Sequence, residues 1–273
     1  MKIGVYPFPS SGNITENLKH IQKAVEEAAA AGVRLLAFHE CALCGYPPIE
    51  NSIEAITPEA IKAALAQVSA LAARHHLYIA LGTVRFEPGA SAPEAAPQNA
   101  AASLQRFNSL VLFDDAGNLT GTYDKTALWG WDCDHFVRGS KDGIFTIDGN
   151  QIGLRICFDV RFPESFRSLF QADCPLCIIA FSDTAEAPDP ERYGIIKSHL
   201  ITRAAENCMA VASVNSTSRF QTAPTAFFDR DGRTLAELEP GTEGLLVFDF
   251  QPQEPDFGTE GRRVNAEFFL NRE

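Results

Sequence analysis

The sequence predicts an α/β fold with mixed sheets. Three observations carry that reading. Apolar runs of strand length alternate with segments of helical period along most of the 273 residues. Hairpin turns occur among the longer crossovers, so the sheets are expected to mix parallel and antiparallel pairs. No break in composition interrupts the alternation, so residues 1–250 read as one domain, with 251–273 as a C-terminal tail of weak periodicity that could wrap the domain or sit at a subunit interface.

The elements follow in order. Residues 2–6 read as a strand. Residues 13–31 read as a helix whose apolar face is Ile14, Leu18, Ile21, Val25 and Ala28, with Gly32 placed to stop it. Residues 33–38 form a buried strand that ends just short of Glu40. Residues 58–74 form a second helix, with Thr57 as N-cap and Pro58 at the first helical position. Strands are expected over 77–84, 108–113 and 119–123, the last two joined by the turn Asp114-Asp115-Ala116-Gly117-Asn118. Residues 144–147 and 151–157 flank Asp148-Gly149-Asn150 and so read as a hairpin. A helix over 163–170, a strand over 176–181, a long helix over 191–207 and a strand over 209–214 follow. Phe227-Phe228 and 245–250 are the last strands. The Ala-, Pro- and Ser-rich stretch 88–102 reads as a surface loop.

Composition narrows the function classes. The formal net charge of -12 argues against a nucleic-acid partner, which needs a basic face. No segment approaches the roughly 18 consecutive apolar residues of a membrane span. The N-terminal residues lack a stretch apolar enough for a signal peptide, and seven cysteines are an odd number. The expected state is reduced thiols in a cytoplasmic protein.

Three chemically unlike side chains stand at the ends of apolar runs or just beyond them. Glu40 lies in RLLAFHECALCGYPP, Lys125 in YDKTALWGWDCDHFVRG and Cys157 in GLRICFDVRFPE. A thiol, a carboxylate and an ammonium at strand ends can converge on one pocket and suit hydrolysis through a covalent thioester. A turn and helix following Cys157 would favour its thiolate through the helix dipole, and the N–H of Phe158 is placed to meet an oxyanion. The alternative for Cys157 alone is a buried, inert core thiol.

Taken together, these segments resemble the nitrilase superfamily of carbon–nitrogen hydrolases, which uses a Glu-Lys-Cys triad in this chain order. Gly45-Tyr46 after the acid, Phe136 and Gly139 after the lysine, and the run HLITRAAENCMAVASVN add to the likeness, which covers nearly the whole chain. The resemblance implies a four-layer αββα sandwich, a homodimer or higher homo-oligomer, and no metal or organic cofactor. It implies that Cys157 attacks a small-molecule amide, Glu40 acts as general base, and Lys125 with the Phe158 N–H stabilises the oxyanion. Many members carry a second glutamate where this chain has Asp132, with Asp134 as an alternative auxiliary acid. The most fitting activity is an amidase on a small linear amide. The alternatives are an N-carbamoyl amidohydrolase or a nitrilase and, from another class, a catalytically impaired binding protein on the same fold.

Weaker signals are expectations of the same kind. Trp129 and Trp131 are candidate apolar walls for substrate. Ser182 and Asp183 are expected at the pocket mouth, offering backbone to substrate. Arg155 shares strand parity with Cys157; a structural ion pair is the simpler reading than contact with a substrate carboxylate. Arg161 and Glu164 read as structural contacts, and His39 and His135 as bystanders. The CxxC pairs Cys41/Cys44 and Cys174/Cys177 suit zinc by spacing, but Cys177 opens an apolar strand run, so they read as core or pocket thiols.

Overall fold

In the structure, a computed structural model, residues 1–89, 104–252 and 256–271 are described. From residue 90 onward the expected 88–102 loop lies outside them. In the first half of the chain, strand β1 spans Lys2–Val5, helix α1 Ile14–Ala30, β2 Leu35–Ala37, α2 Pro58–His75, β3 Tyr78–Pro88, β4 Leu104–Phe113 and β5 Leu119–Asp124. A short helix α3 (Asp132–His135) precedes β6 (Ile144–Ile147), β7 (Asn150–Ile156), α4 (Glu164–Gln171) and β8 (Leu176–Phe181). The chain then runs through β9 (Thr184–Ala185), α5 (Pro190–Asn207), β10 (Ala210–Asn215), β11 (Phe220–Gln221), β12 (Ala226–Phe228), β13 (Thr234–Glu237), β14 (Leu246–Asp249) and α6 (Phe257–Leu270).

Two six-stranded sheets result, ordered β14-β1-β2-β3-β4-β5 and β13-β12-β10-β8-β7-β6. The pairs β1–β2, β2–β3, β7–β8 and β8–β10 are parallel and the other pairs in these two sheets antiparallel, so both sheets are mixed. Alternation along each strand builds the layers. Leu35 and Ala37 face Ile152, Leu154 and Ile178 between the sheets. Leu36 points outward, to Ile21 and Val25 of α1 and Ile61 and Val68 of α2. Cys177 and Ile179 point outward from the second sheet, to Phe166 and Leu169 of α4 and Leu200 of α5. Each fully buried aliphatic side chain of this kind contributes about 1.5–3 kcal/mol. The outcome is the four-layer αββα sandwich, because the central strands are apolar on both faces.

Local chemistry explains the element ends. The Asn13 side chain accepts from Thr15 and Glu16 N–H groups, and Thr57 accepts from Ala60 N–H. The Asp148-Gly149 turn of the β6–β7 hairpin has φ of 47° and 80°, the left-handed pair that suits a two-residue hairpin. At the end of helix α2, His76 rather than a glycine takes the left-handed cap, at φ 52°. Where the tail showed weak periodicity, α6 forms, capped by Asp256 on Thr259 N–H. Among the described residues, no helix is long and apolar enough to cross a membrane.

Candidate active site

The carboxyl ends of strands deliver the site. Glu40 lies three residues past β2, Lys125 directly follows β5, Cys157 directly follows β7 and Ser182 directly follows β8. Strand ends in α/β sheets are where side chains and turns meet a crevice. Here they line a pocket of about 140 Å³, together with Tyr46, Trp129, Phe158, Arg161, Asp183 and Arg192. The structure therefore brings Glu40, Lys125 and Cys157 together.

Glycine allows the acid its place. A Cβ on Gly82 of β3 would stand 2.1 Å from the His39 carbonyl oxygen and 2.6 Å from the Cys41 nitrogen, so the turn carrying Glu40 lies directly against the strand. The Gly82 carbonyl accepts from Leu43 N–H at 3.0 Å and ties the turn down. The lysine segment uses the same device: a Cβ on Gly139 would stand 2.0 Å from the Asp124 carbonyl oxygen, and Gly139 N–H donates to the Lys125 carbonyl at 2.9 Å.

Every charge in the pocket floor is satisfied. Lys125 Nζ donates to Glu40 Oε1 and to Asp132 Oδ2, each at 2.7 Å. Glu40 Oε1 also accepts from Asn108 Nδ2 at 2.7 Å, and Oε2 from Ser182 N–H at 2.8 Å. Asp132 accepts from the Tyr46 hydroxyl at 2.7 Å and from Trp129 N–H at 3.3 Å. Burial works against the ammonium of Lys125, yet Glu40, Cys157 and Asp132 hold its pKa well above the ordinary value. Burial lifts the Glu40 carboxyl above its usual range, against the pull of Lys125. Burial, and then Glu40, also push the Cys157 thiol well up. The arrangement thus holds a protonated thiol, a carboxylate of raised basicity and an ammonium beside one cavity. That set can move a proton off a thiol and offset negative charge on a carbonyl oxygen.

Cys157 sits at φ 45°, in the left-handed region that a non-glycine residue occupies only when its surroundings hold it there. It opens a five-residue 3-10 turn, Cys157–Arg161, whereas α4 starts only at Glu164. The expected helix dipole at the sulfur is therefore absent, and the thiol is raised rather than lowered.

Other expectations divide. Trp129 lines the pocket, whereas Trp131 lies outside its lining, stacked on His135 at 3.7 Å and packed against the core under α1 and α2. Ser182 and Asp183 line the pocket, but their N–H groups are already engaged by Glu40 Oε2 and by Asn215 Oδ1. Asp183 instead pairs with Arg192 Nη2 at 2.6 Å. Arg155 is buried and donates to the carbonyls of Ser165, Asp142 and Leu154, so backbone oxygens take the place of an ion pair. Arg161 lines the pocket, with Nη1 3.1 Å from His199 Nε2. His39 is buried with its Nε2 3.0 Å from Ser10 Oγ, and burial lowers its pKa to about 3. Cys41 and Cys44 belong to the core beneath α1 and α2, and Cys174 and Cys177 to the core beneath α4 and α5, on opposite sides of the sandwich. Asp134 does not line the pocket.

Sequence reasoning missed Asn108, Tyr46 as a donor to Asp132, and Asp159. Asp159 sits two residues past Cys157, and that spacing is the one signal that could have drawn notice to it.

The two mixed sheets between helical layers, and the acid–ammonium–thiol pocket at their strand ends, define a protein of the nitrilase-superfamily class. The chain belongs to the carbon–nitrogen hydrolase family, whose sequence pattern matches residues 2–255. It is 29% identical over 235 residues to the 2-oxoglutaramate amidase of Bacillus subtilis, covering 84% of this chain and 82% of that one. It is 25% identical over 249 residues to a probable nitrilase of Schizosaccharomyces pombe, covering 88% and 84%. Among solved structures, the Nesterenkonia sp. AN1 amidase in complex with butyramide superimposes with a TM-score of 0.79 at 22% identity, covering 100% of this chain and 97% of that one. That last likeness speaks for the fold.

Proposed function

We propose that the protein is an amidase acting on a small linear amide through a thioester on Cys157. The observation that carries this reading is the single buried pocket shared by Glu40, Lys125 and Cys157. Glu40 takes the thiol proton as sulfur attacks the amide carbon. Negative charge moves onto the carbonyl oxygen, where Lys125 Nζ and the Phe158 N–H meet it. Collapse breaks the carbon–nitrogen bond, the proton held by Glu40 goes to the departing nitrogen, and ammonia leaves. Glu40 then takes a proton from water, which attacks the thioester; carboxylic acid departs and the thiol is restored.

The Arg161 guanidinium at the pocket wall, beside the Arg192–Asp183 ion pair, favours an amide that also carries a carboxylate. The likeness to a 2-oxoglutaramate amidase supports the same class. The same feature leaves N-carbamoyl amino acids as the second reading.

The test is ammonia release from a panel of ω-amides of dicarboxylic acids, uncharged amides of equal length, N-carbamoyl amino acids and nitriles, with Cys157→Ala as control. The expected result is turnover of ω-amides without carbon dioxide, lost in Cys157→Ala. Turnover that survives Cys157→Ala, or none with any class, overturns the reading.

A further inference from the structure

Asp159 is fully buried, and its carboxylate is held by four neutral donors. Oδ2 accepts from Ile156 N–H at 2.9 Å and from the Tyr123 hydroxyl at 2.7 Å. Oδ1 accepts from Thr126 Oγ1 at 2.9 Å and from Ala127 N–H at 2.7 Å. Burying a carboxylate is costly unless its oxygens are met in this way.

The placement of the donors is what matters. Ile156 ends β7 in the second sheet, and Cys157 follows it. Tyr123 lies in β5 of the first sheet, and Tyr123, Thr126 and Ala127 bracket Lys125. Strands β5 and β7 lie in different sheets, so no backbone ladder fixes the distance between them. One carboxylate thus spans the gap at the point where ammonium and thiol project. Its bond to Ile156 N–H also closes the turn that holds Cys157 at φ 45°.

We propose that Asp159 is a positioning residue, whose carboxylate sets the separation of the Lys125 ammonium and the Cys157 thiol across the gap between the two sheets. The proposal rests on the reading of Lys125 and Cys157 given above. It assigns Asp159 no contact with substrate: it acts through the two residues it brackets. A displacement of about 1 Å between reacting groups costs about 100-fold in rate.

Two variants test this. Asp159→Asn keeps the shape but replaces one acceptor oxygen by an amide nitrogen. Thr126→Val removes one donor and leaves the other three. For each, kcat and KM on an amide turned over by the wild type are measured, with Tm and the pH dependence of Cys157 alkylation by iodoacetamide, read by peptide mass spectrometry. Four charged groups act on that thiol: Glu40, Asp183 and Asp132 raise its pKa, and Lys125 lowers it. Moving Lys125 away therefore shifts the alkylation midpoint upward. The expected result for Asp159→Asn is kcat lower by about 100-fold, KM within about twofold, and a higher midpoint. Thr126→Val falls between it and the wild type. If Asp159→Asn does not fold, Thr126→Val decides by the same readouts. A folded variant with unchanged kcat and midpoint overturns the proposal, as does a loss of kcat that follows Tm with the midpoint unmoved. If the wild type turns over no amide, the midpoint alone decides: a shift upholds the positioning role while the amidase reading fails, and no shift overturns the role.

Discussion

Lys125 Nζ stands 2.7 Å from Glu40 Oε1, and both side chains are only 1% exposed. With Asp132 at the same distance, one ammonium is shared by two buried carboxylates. Removing the cation strands both acids away from water. Lys125→Met is expected to abolish turnover and to lower stability by about 3–5 kcal/mol, the cost of breaking a buried pair by losing one partner. Urea unfolding of the two proteins checks it; equal midpoints and slopes would contradict the account.

Asp132 meets Lys125, Tyr46 and Trp129 with both oxygens occupied, so the shorter acid fills its site. Adding a methylene is then overpacking, which costs about 1–3 kcal/mol. Asp132→Glu is expected to reduce kcat rather than improve it, and Tyr46→Phe to reduce it through the same carboxylate. A double-mutant cycle reads the coupling between positions 46 and 132. Strict additivity, or a faster Asp132→Glu enzyme, would count against this arrangement.

Gly82 places Glu40 by close backbone contact and by its carbonyl's bond to Leu43 N–H, with no share in the chemistry. Its substitution by alanine drives a Cβ into the backbone of residues 39–41. Gly82→Ala is expected to displace the carboxylate and cut kcat by about 100-fold in a protein that still folds. Circular dichroism and steady-state kinetics together check this; full activity in a folded Gly82→Ala protein would mean the turn is free to shift.

The pH profile follows from burial. Glu40 must be ionised to take the thiol proton, so activity is present above its pKa and lost as pH falls through it. Its raised pKa puts the acid limb of kcat/KM above the ordinary carboxylate value of 4.5. The Cys157 thiol lies well above its ordinary 9.0 and Lys125 well above 10.5, so no alkaline fall is expected below about pH 9. A limb below 4.5, or a decline that begins near pH 8, would contradict these protonation states.

Local pattern made most of the fold legible: the apolar stripe of α1, the cap at Thr57, and the Asp148-Gly149 hairpin all act through near neighbours in sequence, whereas Asn13, read as the first helical residue, caps α1 instead. Edge strand β13 did not announce itself, because Thr234–Glu237 is exposed at Thr234 and Leu235 and carries no clean alternation. Nor did the cap at His76, an exposed left-handed residue where glycine is the ordinary choice, its carbonyl accepting from Arg34 Nη1 at 2.9 Å. The convergence of Glu40, Lys125 and Cys157 on one pocket was legible because each lies in a distinctive segment. Sequence distance from Lys125 could not separate Trp129, which lines the pocket, from Trp131, which packs on the core, because it says nothing about which way a ring turns. Asn108 escaped notice because Glu40 reaches it only across β3 of the same sheet, and Asp159 because Tyr123, Thr126 and Ala127 come within hydrogen-bonding reach only when the two sheets stack.

The central claim is a thioester on Cys157. The direct measurement is the intact mass of enzyme quenched in acid during turnover of an ω-amide, followed by peptide mapping. The account predicts an adduct equal to the amide less ammonia, located on the peptide containing Cys157 and missing from Cys157→Ala. Ammonia released at full rate with no such adduct in the wild type at any quench time, or with the adduct on another residue, would contradict it.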